Sequence, residues 1–415
     1  MTDSGPTEDA GGEPFRLRSV AVAAYGPTIL EAIGYGAAVP VVPLLARDLG
    51  ASVGMAALTA ALLGVGQVAT SLPAGTFIER CGERRAMLIA AAAGAIAMAA
   101  AGSARQLVVL ALAVTVIGMT WSVFLLARQG FMIDAVPVAM RARALSTLGG
   151  SHRVGLFAGP LIAAPVIAHW GMRAAFVIGV AAAGLASALI IRVPDLGGSA
   201  RAAAREQPAT IGQVLRAHRH TLATVGAAAT TLSALRGIRL SVLPLWCDHV
   251  GLEPAQVSVL FAIAAAVEIG LFYPAGWVMD RYGRAFVAVP TAVVLGSGLA
   301  LLPLTGAFAS VLVVAVVMAI GNGLGSGIVM TLGADTAPVV HRAKYLGGWR
   351  LCGDLGFSGG PLLVSGLTGL ISLAATSVTV GVAGVLAGGW VLRVVHRLDR
   401  ARASGSRGGS SDLPG

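Results

Sequence analysis

Twelve stretches of about 20 predominantly apolar residues follow one another along the chain, separated by short polar turns. A helix of that length crosses the hydrocarbon core of a bilayer. Only helices and closed barrels satisfy every backbone N–H and C=O there, and the stretches are too long for barrel strands of about 10 residues. The predicted spans are 18–44, 54–77, 86–103, 107–131, 144–168, 173–192, 221–245, 255–278, 286–304, 309–333, 345–369 and 372–394. Such a pattern reads as an all-α membrane protein with 12 transmembrane helices. Composition agrees, since only 12% of the 415 residues are charged, about half the share of a soluble domain. The 56 glycines let helices approach closely.

The longest polar interruption, Arg192 to His220, divides the chain. Residues 1–17 read as a disordered cytoplasmic tail with no signal peptide, 18–192 as one six-helix bundle, and 193–220 as a cytoplasmic linker. Residues 221–394 read as a second bundle and 395–415 as a cytoplasmic tail, disordered from Arg400. In the linker, Ile211, Val214 and Leu215 beside Arg216 and Arg219 predict a short interfacial helix. Of the 29 Lys and Arg, segments on the side of the N-terminus hold 21, and those on the opposite side hold three, Arg47, Arg105 and Arg173. The positive-inside rule therefore puts both termini in the cytoplasm of an inner-membrane protein. The asymmetry accounts for the net charge of +10 without a nucleic-acid partner. Cys81, Cys247 and Cys352 are far apart and lack metal-ligand spacing, so neither a metal site nor a disulfide is expected.

An internal repeat runs at a fixed offset of 201 residues. The loop Gly75-Thr-Phe-Ile-Glu79-Arg80-Cys-Gly82-Glu-Arg84 returns as Gly276-Trp-Val-Met-Asp280-Arg281-Tyr-Gly283-Arg284. Asp134, Pro137 and Arg141 return as Asp335, Pro338 and Arg342, and Gly155, Gly159 and Pro160 return as Gly356, Gly360 and Pro361. Two parallel six-helix repeats related by a pseudo-two-fold axis along the membrane normal follow.

With these motifs the chain resembles the major facilitator superfamily over essentially its whole length. The Gly-x-x-x-Asp-Arg-x-Gly-Arg loop is that family's signature between spans 2 and 3 and, more weakly, between 8 and 9. Here Glu79 replaces the usual Asp, while Asp280 keeps it. The Gly155–Gly159–Pro160 stretch looks like the signature of the family's antiporters, although Ala163-Ala164 stands for its closing Gly pair. The family's Arg four residues before a span-4 Gly is absent, because Val114 precedes Gly118. The resemblance implies a conformational latch at Gly75, Glu79, Arg80, Gly82, Arg84 and Asp134, and at Gly276, Asp280, Arg281, Gly283, Arg284 and Asp335. In it, Asp134 would accept from Arg80 or Arg84, and Asp335 from Arg281, holding an outward-open state. Charges that merely anchor loops are the plainer alternative. Gly155, Gly159, Pro160, Gly356, Gly360 and Pro361 are expected at close-packed, bent helix interfaces.

Eight charges fall inside spans: Glu31, Arg128, Arg153, Arg236, Arg239, Glu268, Arg350 and Asp354. Each costs about 2.5–3.5 kcal/mol at mid-bilayer, so most must face a wet cavity or one another. Glu31, about 13 residues into span 1, leads the proton-coupling candidates, followed by Glu268 and Asp354. The plainer readings are an ion pair of Glu31 with Arg128 or Arg153, and pairing of Arg350 with Asp354 one turn away. Tyr35, Arg128, Arg153, Arg236, Arg239, Asn322 and Arg350 are the substrate-cavity candidates; Trp121 and Trp246 are further aromatics within reach, although lone aromatics are more often packing.

No Gly-rich loop ending in Lys-Ser/Thr provides an ATP site. The expected function is secondary active transport of a small organic molecule by alternating access, without cofactor, driven by protons, in a monomer. Efflux is the preferred direction, by resemblance to drug-type exporters; proton-coupled uptake of an organic anion is the alternative. A non-transporting sensor or scaffold would not need eight intramembrane charges. An enzyme is not expected, since no metal cluster or nucleophile–base pair lies in the spans.

Overall fold

The computed structural model describes residues 17–71, 73–136, 141–192, 211–338 and 342–408. The first tail, most of the linker, and Pro137 and His341 in the mid-half loops lie outside them. Span 1 is Leu17–Ala38, a 3-10 turn Val39–Val41 that accommodates Pro40, and Val42–Asp48. Span 2 is Val53–Ser71 followed by Pro73–Cys81. Spans 3 to 6 are Glu83–Ser103, Leu107–Ala135, Arg141–Trp170 and Ala174–Ile191. Spans 7 to 9 are Ala227–His249, Pro254–Tyr282 and Ala285–Leu301. Span 10 is Phe308–Leu324 and Ile328–Thr336, joined through Gly325–Gly327; spans 11 and 12 are Arg342–Thr368 and Leu373–Gly408.

Ten of these helices are long and apolar enough to cross a membrane by length and composition. The helices of spans 7 and 11 have comparable length, but they carry Arg236 and Arg239, and Arg350 and Asp354, respectively. These two pack against each other, and protein neighbours compensate for the apolarity that lipid would demand.

Two differences from the sequence reading concern ends. Span 12 continues as helix to Gly408, where a tail was expected from 395. Its Asp399 accepts from the Arg284 and Ala285 backbone N–H groups at 3.2 and 3.0 Å, capping the start of span 9. Helix-forming Ala and Arg then prolong it. The linker holds a helix, Ile211–Ala217. Leu215 presses onto Gly348 of span 11, where a Cβ would lie 2.1 Å from its Cδ2.

Span 1 packs on spans 5 and 6, span 3 on 4 and 6, and span 2 on 4. In the second half span 7 packs on 11, span 9 on 10 and 12, and span 8 on 10. Between halves, span 2 meets span 11 and span 5 meets span 8. The 201-residue offset reappears in these contacts atom for atom. A Cβ on Gly155 would strike the Ile29 carbonyl at 2.5 Å, and one on Gly356 the Thr230 carbonyl at 2.1 Å. A Cβ on Gly159 would strike the Ile33 carbonyl, and one on Gly360 the Ala234 carbonyl, both at 2.4 Å. Pro160 lies against Gly36 and Pro361 against Gly237. Gly82 and Gly283 both turn at positive φ, 87° and 102°, which glycine adopts without a Cβ penalty.

On the face opposite the termini the halves are closed on each other. Arg47 Nε lies 3.2 Å from Asp248 Oδ2, and Ser365 Oγ donates to the Gly54 carbonyl at 2.8 Å. Arg47 and Asp248 are themselves one repeat apart, so they meet at the pseudo-two-fold axis.

Candidate functional site

Glu268 and Asn322 sit at the middle of their spans, each 14 residues from both ends (Pro254 and Tyr282; Phe308 and Thr336), or about 21 Å at 1.5 Å per residue. Glu268 Oε1 contacts Arg239 Nη2 at 2.7 Å. The contact is ionic rather than a well-aligned hydrogen bond, because Oε1 makes none. Its Oε2 accepts from Asn322 Nδ2 at 2.7 Å. Arg236 donates through Nη2 to the Gly325 carbonyl, one of the carbonyls loosened by the 3-10 break in span 10. Arg153 of span 5 lies over the Phe272 ring, 4.4 Å from its centroid, bridging the halves.

Arg153, Arg236, Arg239, Glu268 and Asn322 line one recess of about 200 Å³, together with His152, Leu240 and Phe357. Three arginines face one carboxylate there, a formal +2. Arg236 Nε and Arg239 Nη1 are buried without a hydrogen-bond partner, as are Asn322 Oδ1 and His152 Nδ1. An unpaired buried donor costs about 1–3 kcal/mol, so this recess is incomplete without something that accepts hydrogen bonds.

The other intramembrane charges lie elsewhere. Asp354 accepts from Ser71 of span 2 at 2.9 Å and lies 3.8 Å from Arg350, which joins the halves along the span 2–span 11 contact. Arg128 stands within electrostatic range of Arg350, and its Nε and Nη1 have no partner. Among the described residues no cation lies within 4.0 Å of Glu31, so the pairs considered with Arg128 or Arg153 are not formed; its Oε1 is buried and unpartnered. The eight charges thus divide among the recess, the span 2–span 11 seam with Arg128, and Glu31 by itself. Tyr35 stacks on Trp121 with centroids 4.0 Å apart and accepts from Gln67 Nε2 at 3.2 Å. Trp246 donates to Thr305 Oγ1, a packing role.

In the second-half latch, Asp335 pairs with Arg284 (Nε–Oδ2, 2.8 Å), not with Arg281. The turn at Gly283 carries Arg284 back over span 10. Arg281 is instead exposed beside Trp277 and Tyr282. Asp280 is 83% exposed and 3.9 Å from Arg284. The Arg284–Asp335 pair is formed here while the face opposite the termini is closed, so it does not require the outward-open state. In the first half, Arg84 donates to the Ile191 carbonyl at 2.5 Å and Arg80 is exposed. The side chains of Glu79 and Asp134 lie outside the described residues. A Cβ on Gly75 or Gly276 would meet nothing within 4 Å, so neither is a close-contact glycine.

His152, Ser71, Phe272, Leu240 and Phe357 were not singled out from sequence. His152 counts as neutral and so carries no charge signal in the sequence. The others are ordinary span residues with no local signal.

The model of the Major Facilitator Superfamily matches residues 28–361 and 226–413. The chain belongs to the major facilitator superfamily. Solved structures with the same fold include a POT peptide transporter in complex with alafosfalin (TM-score 0.75, 14% identity, 92% of this chain and 95% of that one). Others are a POT family transporter in complex with 5-aminolevulinic acid (0.72, 11%, 92% and 96%) and a D-xylose-proton symporter (0.71, 16%, 91% and 98%). No curated protein matched by sequence. The protein is therefore a multi-pass membrane transporter of the secondary type, not an enzyme, and its family works without a cofactor.

Proposed function

We propose that this transporter moves a small carboxylate-bearing molecule together with a proton, through the recess between spans 5, 7, 8 and 10. The observation that carries the reading is the pair of buried, unpartnered arginine N–H groups, Arg236 Nε and Arg239 Nη1, in a recess of net +2. A carboxylate satisfies both donors and lowers the excess charge, whereas a cation would raise it. Glu268 is the coupling group. It holds Arg239 while ionised; on taking a proton it releases that arginine to the substrate anion. Proton and anion then enter as a neutral pair. The likeness to a D-xylose-proton symporter favours symport over exchange. The positive-inside count supports cytoplasmic termini.

Efflux by proton antiport is the second reading, favoured by the Gly155–Gly159–Pro160 surface that packs directly on span 1. One assay separates them. Oriented proteoliposomes are given an inward proton gradient and a panel of carboxylates, neutral sugars and organic cations. Carboxylate accumulation with the proton, abolished by an uncoupler, is the expected result. Movement of cations or neutral solutes against the proton, with carboxylates inert, refutes the proposal.

A further inference from the structure

The unmet hydrogen-bonding groups of the recess say what chemistry must enter it. Glu268 Oε1 makes no hydrogen bond but is held ionically by Arg239. Among the described residues, the other buried, unpartnered polar atoms on its lining side chains are Arg236 Nε, Arg239 Nη1, Asn322 Oδ1 and His152 Nδ1. The two arginine atoms are donors, and a carboxylate answers them. Asn322 Oδ1 is an acceptor, so a carboxylate alone leaves it unmet. The orientation of that amide is fixed by Glu268, whose Oε2 accepts from Nδ2 at 2.7 Å; turning the amide would set two acceptors against each other. A proton taken up at Oε1 frees Arg239 and leaves the Asn322 bond in place. His152 Nδ1 donates or accepts according to tautomer, so it adapts to a ligand rather than selecting one.

The unmet donors and the unmet acceptor are close together. Arg239 and Asn322 hold the two oxygens of one carboxylate, each at 2.7 Å, so a single small molecule reaches both. The first half offers no such set. One repeat before Arg236, Glu268 and Asn322 stand Tyr35, Gln67 and Trp121, which satisfy one another: Gln67 donates to the Tyr35 hydroxyl, and Trp121 stacks on its ring. Size adds a bound. The recess of about 200 Å³ has room for on the order of ten waters, hence for a molecule of about three to six carbons. The remaining walls, Leu156, Leu240, Ala265, Ile269 and Phe357, are apolar.

Resting on the carboxylate reading, we infer that the substrate is a short hydroxycarboxylate. Its carboxylate sits on Arg236 and Arg239, a hydroxyl close to it donates to Asn322 Oδ1, and its few carbons lie against the apolar walls. A keto group in place of the hydroxyl accepts without donating, and leaves Asn322 Oδ1 unmet. An ammonium group donates, but it adds a positive charge beside three arginines at the moment Glu268 is neutralised. A hydroxyl donates at no cost in charge.

The test uses the full chain in nanodiscs, with propionate, lactate, β-hydroxypropionate, pyruvate and alanine as probes by titration calorimetry. These differ in one group and hardly in size. Lactate or β-hydroxypropionate is expected to bind at least 10-fold tighter than propionate and pyruvate, since one further buried acceptor is met, and alanine is expected to bind more weakly than either. Asn322→Ala is expected to bring the hydroxy acid/propionate ratio to within about threefold, and the comparison of probes on the wild type needs no variant. Propionate binding as tightly as both hydroxy acids, a ratio untouched by Asn322→Ala, or alanine binding tightest overturns the hydroxyl assignment while leaving the carboxylate reading intact. Binding of none of the carboxylates overturns both.

Discussion

Replacing Glu268 with Gln removes one negative charge while nearly preserving shape. The amide oxygen can still accept from Asn322 Nδ2, now at 2.7 Å, but the ionic contact to Arg239 is lost. That contact is buried, with 6% and 16% of the two side chains exposed. Removing one partner of a buried pair costs about 3–5 kcal/mol, because the other charge is left uncompensated. Arg236 and Arg153 nearby add to the penalty. At an unfolding entropy of about 2 cal/mol/K per residue, a loss of about 4 kcal/mol over 415 residues lowers Tm by about 5 °C. A carboxylate at 100 times its Kd contributes about 2.7 kcal/mol, giving back about 3 °C. Two assays follow. Thermal unfolding of Glu268→Gln should show the drop without ligand and its partial recovery with a saturating carboxylate such as acetate. In proteoliposomes, proton-driven accumulation should vanish, while exchange of labelled for unlabelled substrate persists, since exchange needs no net proton movement. Undiminished accumulation, or an unchanged Tm without ligand, refutes the assignment of Glu268 as the coupling group.

Glu31→Gln discriminates the leading sequence candidate from Glu268: with Glu31 outside the recess, accumulation driven by the proton gradient should survive, and its loss would restore Glu31 to the coupling role. Asp335→Asn should slow interconversion of the open states more than Asp280→Asn, because the first partner of Arg284 is 10% exposed and the second 83%; accessibility labelling of both faces compares the two. Asp248→Asn should shift the balance of open states by no more than about fivefold, since the half-exposed Arg47–Asp248 pair is worth at most about 1 kcal/mol; spin-label distances between spans 1 and 7 report it. Gly360→Val should cost several-fold in folded yield, because its side chain would strike the Ala234 carbonyl, while Gly359→Ala, with nothing within 4 Å, should not.

Spans, halves and repeat were legible in the chain because each follows from local chemistry: apolar length from the bilayer, and the offset of 201 from duplication. The close helix contacts were legible too, since Gly155 and Gly356, or Gly159 and Gly360, recur where only glycine lets backbones touch. The aromatic and ionic triads were also open to that arithmetic, as Tyr35, Gln67 and Trp121 stand one repeat from Arg236, Glu268 and Asn322. What those triads face was not. Whether Arg284 or Arg281 reaches Asp335 depends on how the Gly283 turn directs the next residue over span 10. Asp354 meets Ser71, 283 positions away, only because spans 2 and 11 pack together across the halves. The division of eight charges into a recess, a seam and an isolated carboxylate is likewise a product of interhelical distance. Sequence settles which residues lie at which depth, because rise per residue is constant; tertiary packing alone decides which of them share a partner, because electrostatic and hydrogen-bonding reach is only a few ångströms.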